Sequence, residues 1–218
     1  KLQFHGICQR TIIFGKRFHP SSRKTMQLTD LDFNKTYSYA DYLLWKLQER
    51  VELIKGRVFK MSPAPSMQHQ RVSQRLNKLL LVKLEEKQCE AFTAPFDVRL
   101  PKKETSDEKT YTVVQPDLCV ICDKSKLDAR GCVGAPDLVI EILSPGNSKK
   151  EMKEKFEVYE ESGVREYWLV NLFDKNVICY ILKDGKYYGL PPFVEDDIMT
   201  STIFPDLKID LMATFKES

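Results

Sequence analysis

Apolar side chains recur at three- and four-residue steps in separate stretches of the chain, with tighter strand-like runs between them. From Ser66 to about Lys87 the stripe is His69, Val72, Leu76, Leu79, Leu80 and Lys83 or Leu84, which predicts a helix capped by Ser66. Ser38 to Glu49 predicts an earlier helix, with Tyr42, Trp45 and the Leu43/Leu47 pair on adjoining faces. Ser148-x-x-Glu151 has the spacing of a capping box. The helix it opens runs to Ser162 and stops at Gly163, and its apolar stripe is Met152, Phe156 and Tyr159.

Val51 to Met61 predicts a β-hairpin turning at Lys55-Gly56, broken by Ser62 to Pro65. Cys89 to Leu100 predicts one strand bent at Pro95, and Thr112 to Ile121 a second. Loops separate these from Ala135 to Leu143, the most apolar run and so the expected centre of the sheet. Arg165 to Leu172 predicts a further strand, followed by a hairpin through Lys183-Asp184-Gly185. Ser201 to Leu211 reads as a last short strand or turn. The order is an α-β-β-β-α-β core with a hairpin on each side, which implies an α/β fold with helices flanking a mixed sheet.

Composition narrows the class. The 218 residues are 42% hydrophobic and 30% charged, enough for a real core and against disorder. No run nears 18 apolar residues, so no membrane-spanning helix and a cytoplasmic protein are expected. Net charge is +3, unevenly placed. Residues 1–25 hold Lys1, Arg10, Lys16, Arg17, Arg23 and Lys24 and no acid, and read as a basic extension outside the fold. Residues 26–218 form the expected single domain and carry 28 basic and 31 acidic side chains. Such a balance supplies no general attraction for phosphate, so any nucleic-acid contact depends on local clusters or a metal.

Six cysteines do not suggest a disulfide framework in a chain with this much core. Cys119-x-x-Cys122 has the spacing of a zinc or thiol-redox pair, but it lies in a predicted strand. Residues three apart on a strand face opposite ways, so both read as small buried hydrophobes.

Three polar residues stand where polar residues are expensive. Asp117 shares a strand face with Cys119 and Ile121, and Glu141 shares one with Asp137 and Val139. Two carboxylates on adjacent buried strands repel by about 3–4 kcal/mol at 4–5 Å and an effective dielectric near 20. A hard divalent cation with oxygen ligands removes that cost. Lys155 sits at the edge of its helix stripe and can reach over the sheet, where an ammonium can hold a nucleophilic water or stabilise developing charge. Each has a plain alternative: Asp117 capping a turn, Glu141 paired with an arginine, Lys155 snorkelling from a surface helix. Asp137 is a tempting third carboxylate but opens its strand beside Pro136, and reads as a structural or outer-shell residue; Tyr167 and Trp168 read as core.

The stretches QPDLCVI and APDLVIEILSPGNSKKEMKEKFEVYEESGVREYWLV resemble the Uma-type family of restriction endonucleases, a branch of the PD-(D/E)xK nuclease superfamily. VELIKGRVFKMSPAPSMQHQRV resembles the family's N-terminal signature, and the resemblance spans roughly Tyr37 to Leu211. It implies a restriction-endonuclease-like fold. It implies Asp117 and Glu141 as metal ligands, with Leu143 at the usual lysine position and Lys155 supplying that lysine from the next helix. Glu52 and His69 match the family's N-terminal polar positions, which implies catalytic roles in completing the metal site or orienting water. Their alternatives are an outward-facing hairpin residue and a satisfied core or capping histidine. Lys149 and Lys150, where family members often carry an acid, read as phosphate contacts or as decoration of a helix start.

The expected function is therefore Mg²⁺- or Mn²⁺-dependent hydrolysis of nucleic-acid phosphodiesters, DNA before RNA, by a homodimer. Tyr187, Tyr188 and Phe193 read equally as its dimer surface or as residues that close the core. The alternative is a catalytically weak nuclease fold serving as a binding or assembly module, which the net acidic balance of residues 26–218 favours.

Overall fold

The computed structural model describes residues 26–61, 65–144 and 149–217. In chain order, α1 (Tyr39–Leu44) precedes β1 (Val51–Ile54), β2 (Arg57–Lys60) and α2 (Met67–Leu84). Then come β3 (Glu90–Thr93), β4 (Val98–Arg99), β5 (Val113–Val114), β6 (Leu118–Ile121), β7 (Leu127–Asp128), β8 (Gly131–Val133) and β9 (Leu138–Leu143). After α3 (Lys149–Ser162) follow β10 (Glu166–Asn171), β11 (Asn176–Lys183), β12 (Lys186–Gly189), β13 (Phe193–Val194), β14 (Ile198–Thr200), β15 (Lys208–Asp210) and α4 (Leu211–Phe215).

The main sheet runs β12-β11-β10-β9-β6-β3, with β13 on β11. β9 and β10 are parallel and joined through α3, while β9 meets β6 antiparallel. β9 is thus interior, as its apolar run requires. Period-two alternation sorts the two faces. Leu118, Val120, Ile140 and Trp168 pack under Val72, Leu76 and Leu80 of α2. Cys119, Ile121, Val139 and Tyr167 face Val158 and Tyr159 of α3. The order α2-β3-β6-β9-α3-β10 is the expected α-β-β-β-α-β core.

A second sheet, β2-β1-β5-β4-β8-β7, lies beside the first. Its hairpin turns at Lys55 and Gly56, whose φ angles are 52° and 76°. Two positive angles make the tight turn whose twist matches the strands. A Cβ on Gly56 would meet Cγ2 of Thr36 at 2.4 Å, so the turn also needs glycine for space. α2 is capped as expected, with the Ser66 hydroxyl accepting from the His69 N–H at 3.2 Å. α3 stops at Gly163, where φ is 89°.

Several expectations need correction. The first helix ends at Leu44 rather than Glu49. Trp45 is extended and packs edge-on against Tyr37, with ring centroids 5.0 Å apart, so aromatic packing overrides helix propensity there. The run 89–100 is two strands in different sheets, divided at the cis Ala94–Pro95 bond. The run 112–121 likewise splits around Pro116 into β5 and β6. Both breaks carry a proline, which has no N–H for a ladder. The expected loop after Ile121 contains β7 and β8, and the tail holds β14, β15 and α4. The basic extension 1–25, most of the Ser62–Pro65 break and Ser148 of the capping box lie outside the described residues.

The cysteine reading is half right. Cys119 and Cys122 do serve opposite faces, packing in different core clusters. Cys122, however, is bonded to Cys89, contrary to the expectation of a plain buried thiol. The β3–β6 register sets Glu90 against Ile121, which brings the flanking cysteines opposite each other. Among the described residues no helix is long and apolar enough to cross a membrane.

Candidate active site

Five side chains distant in sequence meet where the two sheets adjoin. β1 brings Glu52, the first turn of α2 brings His69, the approach to β6 brings Asp117, β9 brings Glu141 and α3 brings Lys155. Lys155 is the hub. Its Nζ lies 3.0 Å from Oε1 of Glu52 and 3.0 Å from Oε1 of Glu141. It is only 6% exposed, so it does not snorkel to solvent.

Glu52 is 1% exposed, contrary to an outward hairpin position. Its Oε1 also accepts the Gln115 backbone N–H at 2.7 Å. Glu141 pairs with the lysine rather than with an arginine, and accepts the Tyr159 phenol at 2.7 Å. The β6–β9 register sets Leu118 against Ile140, so its continuation places Asp117 opposite Glu141. Asp117 Oδ2 accepts the Ile142 N–H at 2.8 Å and faces Nε2 of His69 at 3.3 Å.

The electrostatics follow from that crowding. Burial, then repulsion from Asp117 and Glu52, pushes the Glu141 carboxyl up to about 7 against the opposing pull of Lys155 and Tyr159. Burial would lower the Lys155 ammonium, but Glu141 and Glu52 outweigh it and hold it above its ordinary value. His69 behaves alike: burial disfavours its charge, and the Asp117 hydrogen bond and charge more than restore it. Its Nδ1 is buried and has no partner among the described residues.

The donor set suits one hard divalent ion. Asp117 and Glu141 offer oxygens from adjacent strands on one sheet face, and with Glu52 three carboxylates stand against one lysine. Among the described residues no group of three ligating side chains is assembled. Two carboxylates are sufficient for Mg²⁺, which keeps several waters and takes substrate oxygens.

A small cleft opens over these groups. His69, Asp117, Glu141 and Lys155 line it together with Arg50 and Gln115. Lys149 and Lys150 do not line it. Both are exposed on the first turn of α3, with the Lys150 Nζ 5.8 Å from the Phe59 ring centroid. Asp137 accepts the Cys122 N–H at 2.8 Å and pairs with Arg165 at 3.0 Å, which favours the structural of its two readings. Glu166 shows what a purely structural buried carboxylate looks like here. Trp168, Ser201 and the Ile203 N–H satisfy it, all neutral donors. Of the candidate dimer aromatics, Tyr187 and Phe193 pack against the core and Tyr188 is exposed.

Sequence reasoning missed Gln115 and Tyr159. Tyr159 was visible as the residue four after Lys155, one helical turn on, but its position in the apolar stripe disguised it. Gln115 carried no such signal.

Comparison with known proteins places the chain. Residues 39–212 match the family described as "Uma2: Putative restriction endonuclease". Two uncharacterized proteins of Synechocystis sp. are similar. One is 26% identical over 147 residues, 66% of this chain and 73% of the relative. The other is 29% identical over 160 residues, 71% of this chain and 83% of the relative. The crystal structure of "a putative nuclease belonging to DUF820" from Anabaena variabilis superimposes with a TM-score of 0.63 at 19% identity. It covers 82% of this chain and 97% of that one. At that identity the likeness shows the fold, which is restriction-endonuclease-like.

Proposed function

This chain belongs to the Uma2 family of "Putative restriction endonuclease" proteins, and from that premise we propose that it is a metal-dependent endonuclease hydrolysing nucleic-acid phosphodiesters, DNA before RNA. The observation that carries the reading is Lys155 held 3.0 Å from both Glu52 and Glu141, with Asp117 opposite Glu141. A structural ion pair needs one carboxylate for one lysine. Here an excess of negative oxygen lines a cleft, which costs stability unless a cation is used there.

Asp117 and Glu141 are the residues that would hold Mg²⁺ or Mn²⁺. When bound, such an ion supplies Lewis-acid stabilisation of charge on the phosphoryl oxygens. Lys155 contributes a fixed positive charge beside the attacked phosphate and a donor for the incoming water. Glu52 holds the same ammonium at 3.0 Å. His69 orients Asp117 through the 3.3 Å contact to Oδ2. Lys149 and Lys150, exposed on the first turn of α3, would touch the substrate backbone outside the cleft. The working unit is the fold from residue 26 onward, as a homodimer.

The test is incubation of the chain with single-stranded, duplex and branched DNA, and with RNA, in Mg²⁺ or Mn²⁺. Lys155→Ala and Glu141→Ala preparations run beside it. Cleavage by the parent chain that both variants lose supports the reading. Equal cleavage in all three preparations means a contaminant and overturns it.

A further inference from the structure

Asp117, Glu141 and Glu151 line the cleft and repel the polyanion it is meant to cut. Lys155 cannot offset this for the flanking backbone, because it is buried and engaged with two carboxylates. Among the described residues lining the cleft, the other permanent cation is Arg50, and it is exposed.

Arg50 precedes β1 and shares its strand face with Glu52, two residues on. Its carbonyl accepts the Met61 N–H at 3.0 Å, so the hairpin ladder holds its backbone. Its guanidinium donates through Nε and Nη2 to one oxygen, Oε1 of Gln115. That oxygen's position is dictated by the other end of the amide. Gln115 Nε2 donates to Oδ1 of Asp97 at 2.8 Å and to the Tyr42 hydroxyl at 3.2 Å. An ionised carboxylate only accepts, so the amide nitrogen must face Asp97 and the oxygen must face Arg50. The Gln115 backbone N–H meanwhile grips Glu52. One residue thus fixes a carboxylate of the lysine hub and aims an arginine.

The anchor is neutral, which matters. Among the described residues Arg50 makes no ion pair, so its charge is not cancelled. Nη1 takes no partner among them, and Nη2 gives Gln115 one of its two N–H groups, so the Nη1–Nη2 edge keeps one N–H from each. That edge is a planar pair of donors with the spacing of two phosphate oxygens.

We propose that Arg50 is a phosphate-binding residue of this cleft, gripping a nucleic-acid backbone phosphate beside the scissile one, with Gln115 as its positioning residue. The assignment rests on the nuclease reading above. The test compares the whole chain with Arg50→Gln and Arg50→Lys on a short duplex in Mg²⁺, across salt from 50 to 200 mM. For Arg50→Gln, KM rises about 10-fold or more, as loss of a charge-assisted hydrogen bond predicts, and the loss falls on KM rather than kcat. The slope of log(kcat/KM) against log[salt] becomes shallower by about 0.9, one released counterion. Arg50→Lys restores the slope through its charge but only part of KM, having lost the fork. Thermal unfolding of each variant at the parent's temperature confirms that binding and not folding changed. A parent chain that cleaves, beside an Arg50→Gln chain with the parent's KM and slope, overturns the Arg50 assignment alone. A parent chain that neither binds nor cleaves overturns the nuclease reading and this assignment with it.

Discussion

The phenol of Tyr159 donates a 2.7 Å hydrogen bond to Oε1 of Glu141, the same oxygen that Lys155 reaches at 3.0 Å. The two donors sit one turn apart on α3, so the helix holds the carboxylate twice from one side. Burial drives the phenol's own pKa well above its ordinary value, so it remains a donor at any working pH. Tyr159→Phe keeps the ring and removes only the donor. The Glu141 carboxyl then titrates higher, and the acid limb of the pH–rate profile moves to higher pH. Stability at pH 8 falls by about 1.5–3 kcal/mol, the worth of a hydrogen bond to a charged group. An unmoved acid limb would contradict the role given to this contact.

Lys155 is the cation on which two buried carboxylates depend. Lys155→Met leaves both uncompensated, at a cost of about 3–5 kcal/mol. Adding Glu52→Gln to Lys155→Met recovers a large part of that loss, because the second change removes a stranded charge. Urea unfolding of the single and double variants measures the coupling, and strictly additive losses would show that the pair does not interact.

In the metal-free protein Glu141 keeps its proton up to about pH 7, whereas the unfolded chain releases it near 4.3. The folded state therefore binds more protons in that interval, and this contribution to stability is lost as pH rises through it. His69, raised by Asp117 against its burial, has the same sign. Glu141→Gln cannot titrate, so it gains on the parent chain by up to about 3 kcal/mol between pH 4.5 and 8 in EDTA. Millimolar Mg²⁺ closes that gap by stabilising the parent and not the variant. Parallel stability curves for the two chains in EDTA would refute the Glu141 shift.

The Cys89–Cys122 bond closes a sequence separation of 33 residues. Chain-entropy arguments give such a loop about 3–4 kcal/mol. Cys122→Ala, or reduction, lowers unfolding stability toward that amount, because β3 is the edge strand of the main sheet and gains most from a tie. Denaturant titration with and without reductant reads the difference, and coincident curves would show that the bond adds nothing.

What the chain determined locally was legible along it. Repeats of 3.6 and 2, the Ser66 cap, the Lys55-Gly56 turn and the Gly163 stop all depend on neighbours a few residues away, and all are present. Asp117, Glu141 and Lys155 stood out because a charge on a buried face is expensive wherever the chain goes. Tertiary structure decided the rest. The strand breaks at Pro95 and Pro116 divide two runs between two sheets, and Glu52 of the second sheet meets Lys155 beside the first. Gln115 joins Glu52, Asp97 and Arg50 through its backbone N–H, its amide nitrogen and its amide oxygen, and those partners are up to 65 residues away. The Cys89–Cys122 pairing needed the β3–β6 register. Periodicity records which face a residue takes on its own element. It carries no information about which other face is brought against it, because that is settled by long-range packing.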